Sequence, residues 1–527
     1  MVTLRSQTRA EKASHSSWAL LPQEIRRMIL EDISSQRRWS CASTVCKEWH
    51  AIIASKNLNR LELSGASAEG LETIILQRHL IRKVYLNIQL HLYRCSQCPG
   101  YIPPFVPVRL IKEALRKLTK ALATWRPTHH ITLELNAYSP SDPDHCFKNH
   151  LYGFEYENDV NFLEKQIVLH DPVHGWFRGK QVTPPTPAAV HQLFSTIIPK
   201  ISGKRLSKVP AIKRVAIRRQ MRREIDRVAL SELLKKFPNL ESINYEPWRV
   251  LFHIPNLLGS SYDQSLQDGL PTWPQHIRSV TIFEDFNEQI MEATRRNVNS
   301  TIIVASMQIE TRRHTKYELG EAFAVKSRNL EHLSVSFMID ARDFFTACKM
   351  MSDWPRLRSL ILTTPLMTKG SRGRISDFLV NAGRVAQKMQ HLKSLAIWHC
   401  SRDDASAVIF HKNEDEGIKV HGSATLTWRG TREFDFSEEV VETWQKVVCT
   451  CNSHQGYVGQ CDSHQLLCRI ERVEGEIISH GDAIHHLRLP DGVIDPTSLW
   501  QIRQEGILQA ETWAVKAEPD DGSEEDQ

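Results

Sequence analysis

The chain has 527 residues, 41% of them hydrophobic, with a formal net charge of +6. That apolar share supports a sizeable folded core, and a charge this mild for the length gives no indication of nucleic-acid binding. No apolar run reaches the roughly eighteen residues of a membrane span, and residues 1–12 lack the apolar stretch of a signal peptide, so a cytoplasmic or nuclear protein is expected, its eleven cysteines mostly reduced.

Residues 1–16 read as a flexible tail. Over 17–56, Pro22 stands at a first-turn position, and Leu21, Ile25, Met28 and Ile29 recur at helical spacing. After a polar break at Ser34-Ser35-Gln36, Trp39, Ala42, Cys46, Trp49 and Ile53 share one side of a second segment. Two helices this short cannot bury both apolar faces against each other, and the surplus points to a partner. Leu21-Pro22-x-Glu24-Ile25-x3-Ile29-Leu30, followed by Val45-Cys46-Lys47-x-Trp49, resembles an F-box. The resemblance implies docking on the Skp-type adaptor, and through it the cullin, of an SCF-type ubiquitin ligase. Leu21, Pro22, Ile25, Ile29, Leu30, Val45, Cys46 and Trp49 would be the contact residues.

Beyond the F-box-like segment, alternating phrases at 57–63, 81–86 and 131–135 predict short strands, and Val108, Ile111, Leu115, Leu118 and Leu122 predict a helix. Five more regular phrases follow, beginning at Leu240, Ile277, Leu330, Leu357 and Leu392. Each runs aliphatic, charged, Ser or His, aliphatic, variable, apolar. Phe237-Pro238 and Trp354-Pro355 introduce two of them. They resemble the strand phrase of leucine-rich repeats, although the intervals run from 27 residues (Leu330 to Leu357) to 53 (Ile277 to Leu330). The expected fold is therefore mixed α/β: a short helical F-box, then an irregular leucine-rich-repeat-like solenoid over 57–515, with an acidic disordered tail at 516–527. An α/β domain of unrelated strands is the alternative. Arg372 to Met389 reads as a helix; Ser423 to Trp428 and His485 to Leu489 read as further strands.

No P-loop, dinucleotide-binding glycine pattern, His-Glu-x-x-His or Gly-x-Ser-x-Gly occurs, and nothing nominates a nucleophile. The chain is expected to be non-catalytic and to hold a protein substrate on the concave face of the solenoid. That face would carry Phe283, His332, Ser359, Ser394 and Trp398, with the two aromatics as anchors. Equally, its small residues could let strands and an inserted segment pack closely.

No cofactor is expected, but zinc is the competing reading, as a metal-binding protein or enzyme. Cys95-x-x-Cys98 has zinc-ligand spacing, with His129, His130, His145 and Cys146 as partners that folding would have to supply. Cys449-x-Cys451-x2-His454-x6-Cys461-x2-His464-x3-Cys468 is denser but matches no standard finger. The basic stretch from Lys200 to Arg227 reads, from Ile212 on, as a helix with a solvated arginine face; an import patch or acidic-partner site ranks next, and nucleic acid is not expected because interleaved aromatics are absent. Arg218-Arg219-Gln220-Met221-Arg222-Arg223, Glu246-Pro247-Trp248-Arg249 and Tyr93-x-Cys95-x-x-Cys98 also resemble a fungal family of F-box proteins with a large C-terminal region, a likeness that carries over no site. A scaffold outside any ligase is a third reading.

Overall fold

A computed structural model describes residues 18, 20–33, 44–64, 71, 78–95, 108–148, 170–177, 180–194, 196–198, 205–249, 252–253, 262–287, 290–291, 308–309, 316–401, 403–412, 424–452 and 465–509. Both predicted tails lie outside them. The three early phrases form β1 (Arg60–Ser64), β2 (Lys83–Gln89) and β3 (Ile131–Tyr138). After β4 (Ile212–Ile217), the five regular phrases form β5 (Ser242–Tyr245), β6 (Ser279–Phe283), β7 (His332–Ser336), β8 (Ser359–Thr363) and β9 (Ser394–Ser401). Three more strands follow: β10 (Asp404–Lys412), β11 (Ala424–Gly430) and β12 (Leu466–Arg472). All twelve make one sheet in strict chain order, parallel except where β10 runs against β9 and β11.

The helices before and between the strands are α1 (Gln23–Ile33), α2 (Lys47–Asn59), α3 (Val108–Leu122), α4 (Pro187–Phe194), α5 (Arg227–Leu234), α6 (Tyr262–Gly269) and α7 (Tyr317–Ser327). Then come α8 (Ala341–Cys348), α9 (Leu366–Lys369), α10 (Arg372–Ala386), α11 (Glu438–Asn452), α12 (His480–Leu487) and α13 (Pro496–Gln509). No helix among the described residues is long and apolar enough to cross a membrane.

The repeated phrase sets the register. Its third positions pair across the sheet, Ser242 with Ser279, Ser279 with His332, His332 with Ser359 and Ser359 with Ser394. The charged second position of each phrase extends the ladder one residue earlier. The amide of Arg278 donates to the Glu241 carbonyl (2.8 Å), Glu331 to Arg278 (2.7 Å), Arg358 to Glu331 (2.7 Å) and Lys393 to Arg358 (2.8 Å). Opposite charges fall side by side in this ladder, so Lys213 meets Glu241 at 2.6 Å and Arg278 meets Glu331 at 3.1 Å. The leading aliphatics Leu240, Ile277, Leu330, Leu357 and Leu392 are buried. The Trp354-Pro355 stop has a counterpart not singled out from the sequence, Trp273-Pro274: the indole of Trp273 donates to Ser231 (3.2 Å) and that of Trp354 to Ser327 (2.7 Å), each serine lying on a helix.

Each face of the sheet has its own core. Val84, Leu133, Val215, Ile243, Val280, Leu333, Leu360 and Leu395 pack with α3, α5, α7, α8, α10 and α11. On the other face Phe283, Ile361, Ala396 and Trp398 pack beneath residues of α12 and α13.

Two predicted elements are replaced. The helix expected from Ile212 is strand β4, because Ile212, Val215 and Ile217 favour an extended chain and β3 and β5 supply backbone partners on both sides. His485 to Leu489 is not a strand but the last residues of α12 and the two that follow it. A capping box between Ser479 and Asp482 starts that helix, and Arg488, at φ 47°, ends it.

Candidate docking and recognition surfaces

At the N-terminal helical pair, Pro22 precedes α1 and its carbonyl accepts the amide of Arg26 (3.0 Å), so the first turn closes without the proline's missing N–H. Cys46 has an extended backbone and is the residue before α2, so Val45 and Cys46 lie at its start rather than within it. Trp18 and Trp49 pack at 5.3 Å, the Trp18 indole donates to Glu48 (3.3 Å), and Arg26 pairs with Glu48 at 3.2 Å. Leu30 and Ile53 are buried. Four of the outward residues are large and apolar: Leu20 is 76% exposed, Ile25 42%, Met28 63% and Val45 63%. Leu21, Ile29 and Trp49 are half-buried and Pro22 and Cys46 exposed, so Leu30 alone of the eight expected contact residues is wholly inside.

The sheet face expected to be open is mostly closed. Phe283 and Trp398 are fully buried, correcting their reading as exposed anchors. The physical reason is that the C-terminal segment supplies Val473, Ile477, Ala483, Ile484, Leu487, Ile494 and Ile502 to cover them, and Phe337 packs at 5.6 Å from Phe283 and 5.0 Å from Trp398. Ser334, Ser336, Thr363 and Ala396 are buried with them. The row at the N-terminal ends of the strands stays accessible, where Ser242, Ser279, Ser359 and Ser394 are half-buried and His332 is exposed, and Asn244 and Thr281 beyond it on β5 and β6 are half-buried too. Ser394 donates to Ser359 at 3.1 Å along this strip. Burial holds the His332 imidazole below its ordinary pKa.

The arginine-rich stretch is what fastens the cover, not a solvated face. Arg218, Arg219, Arg222, Arg223 and Arg227 are all buried. Arg218 donates to Glu134 at 2.6 Å. Arg219 sits between Asp285 and Glu505, reaching the latter with two bonds of 2.6 and 3.1 Å, and Arg222 reaches the same Glu505 at 2.6 Å. Both arginines lie over the Trp248 ring. Arg223 forks onto Asp142 with two 2.6 Å bonds. Burial opposes the charge on Arg219, but the Asp285 and Glu505 carboxylates outweigh it and raise its pKa. Glu246 completes the clamp by accepting from the Asp495 amide (2.9 Å) and the Ser498 hydroxyl (2.5 Å).

Of the expected metal ligands, Cys95 is described and lies beside His145 and His174. His174 is 79 residues from Cys95 and carries no signal in the sequence. Cys98, Cys461 and His464 lie outside the described residues. Cys449 and Cys451 are on α11, and Cys449 is disulfide-bonded, which removes it as a thiolate donor. Residues 272–495 match a family described as a family of unknown function (DUF6546), a stretch that runs from before β6 through α12. No curated protein matches the chain.

Proposed function

We propose that this chain is the substrate-recognition subunit of an SCF-type ubiquitin ligase, with α1 and α2 as an F-box docking on a Skp-type adaptor. The observation that carries the reading is the outward apolar set Leu20, Ile25, Met28 and Val45, on a helical pair with the Leu-Pro-x-Glu-Ile pattern. A monomer gains nothing by exposing these side chains together, and a partner surface would bury them. The chain then acts by proximity: it holds a protein substrate near the ubiquitin-charged enzyme, raising effective concentration without chemistry of its own.

The sheet domain reads as an irregular leucine-rich-repeat-like solenoid. Chain-order strands, one register for the repeated phrase and the inter-strand helices α3, α5, α7, α8 and α10 on one face support this. The substrate surface is the strip Ser242, Ser279, His332, Ser359 and Ser394, since Phe283, Ser334, Ser336, Ile361, Thr363, Ala396 and Trp398 farther along these strands are buried.

Purified full-length chain mixed with a purified Skp-type adaptor tests the docking role. Leu21→Asp and Ile25→Asp should each abolish co-elution on size-exclusion chromatography while leaving the thermal midpoint unchanged. Co-elution that survives both substitutions, or wild-type chain that fails to bind, would sink the reading.

A further inference from the structure

Three loops converge at the C-terminal ends of β2 and β3. Cys95 follows β2, His145 follows β3, and His174 comes from the 170–177 segment. Cys95 Sγ lies 3.2 Å from His174 Nε2, and His145 Nδ1 lies 3.2 Å from that same Nε2. All three donor atoms fall within 4.8 Å of one another. Tetrahedral zinc with Zn–N near 2.05 Å and Zn–S near 2.3 Å places its donors about 3.3–3.6 Å apart, close to what is seen.

The outer nitrogens of the two imidazoles dictate what the inner ones present. His174 Nδ1 is 2.7 Å from Asp171 Oδ2, and a carboxylate can only accept, so the proton sits on Nδ1 and Nε2 keeps its lone pair. His145 Nε2 faces the Tyr93 carbonyl at 3.4 Å, again an acceptor, so Nδ1 is the bare nitrogen of that ring. Two lone pairs and a sulfur therefore point at one spot. One proton could bridge one of these pairs, but it could not serve all three donors, whereas a metal ion does so at once. The arrangement beyond the donors is the one ligating histidines have: a carboxylate behind one ring and a backbone carbonyl behind the other, fixing tautomer and orientation. Lys148 Nζ contacts the same Asp171 oxygen at 2.9 Å. The side chains of both histidines are largely shielded from solvent.

We propose that Cys95, His145 and His174 bind one zinc ion that cross-links the three loops. A mixed thiolate–imidazole set suits zinc over calcium or magnesium, which take oxygen donors. Binding deprotonates the Cys95 thiol, the proton leaving to solvent, and forms one S–Zn and two N–Zn bonds. These three donors leave the fourth tetrahedral position to a donor outside the set. The site also joins the buried ionic network, because Tyr93, stacked on His145, donates to Asp142 at 3.1 Å, the carboxylate that Arg223 grips. The zinc would thus lock the loops at this end of the sheet to the arginine clamp.

The test is metal content of the full-length chain after loading with zinc and dialysis against metal-free buffer. One zinc per chain is expected in the wild type and near none in the His145→Ala, His174→Ala double variant. Cobalt loading should give a thiolate-to-cobalt charge-transfer band that Cys95→Ser removes. Asp171→Asn keeps all three donors, so it should fold normally yet raise the zinc dissociation constant roughly 10–100-fold in a chelator competition. Sub-stoichiometric zinc in the wild type overturns the assignment. So does one zinc retained by the double variant, which would put the metal elsewhere, or an unchanged affinity in Asp171→Asn.

Discussion

Arg219 is enclosed by Asp285, Glu505 and the Trp248 ring, and its charge is tolerable there only because both carboxylates remain. Removing one partner of such a buried group leaves the other uncompensated. Glu505→Ala takes a carboxylate from both Arg219 and Arg222 and should lower unfolding free energy by about 3–5 kcal/mol, read from the urea midpoint. His399 supplies a pH dependence. Burial, with Lys369 and Arg249 nearby, pushes its pKa down from 6.5 to about 4, and Nδ1 is bonded to Thr368 at 2.9 Å. Between pH 6.5 and about 4 the folded chain binds fewer protons here than the unfolded chain does. The contribution of His399 is therefore fully present above pH 6.5 and is lost as the pH falls through that window. His399→Gln should flatten the fall of the melting temperature between those two pH values, and an unaltered slope would assign the acid sensitivity to other groups.

At the scale of elements, β1 to β3, β5 to β9 and β11 were legible because their phrases alternate in the sequence, whereas β10, buried along most of its length, and β12 were not read as strands. Helices α3 and α10 were equally legible, from apolar residues at helical spacing. β4 was not. Its arginines suggested a helical face, and only the vacant hydrogen-bonding edges of β3 and β5 make the extended form the better one. The pairing of α12 and α13 with the sheet was hidden for another reason: their apolar residues are sparse and resemble those of any surface helix. Leu487 is fully buried in the core these helices close. Leu487→Ala should cost about 2–5 kcal/mol. It should also expose the Phe283 and Trp398 face to dye binding and speed proteolysis within 473–509, while adaptor binding stays intact. Unchanged dye binding would mean the cover does not depend on that contact.

Across the whole molecule, the proposed function gives docking to the N-terminal pair and holding to the sheet domain. The expected residues His332, Ser359 and Ser394 do line one strip, because a common register carries equivalent phrase positions into a row. Phe283 and Trp398 occupy a lower row of the same strands and were claimed by the cover. Sequence by itself determined most of the strand phrases, the amphipathic N-terminal pair and Cys95 as a candidate ligand with His145 among its possible partners, since these depend on residue type and spacing along the chain. Only the tertiary structure decided that the arginine stretch is a buried clamp, that the C-terminal helices fill the sheet face, and that His174 meets Cys95. Each of those joins residues far apart in the chain, and local periodicity holds no information about which distant charge, apolar side chain or ring nitrogen folding will bring near.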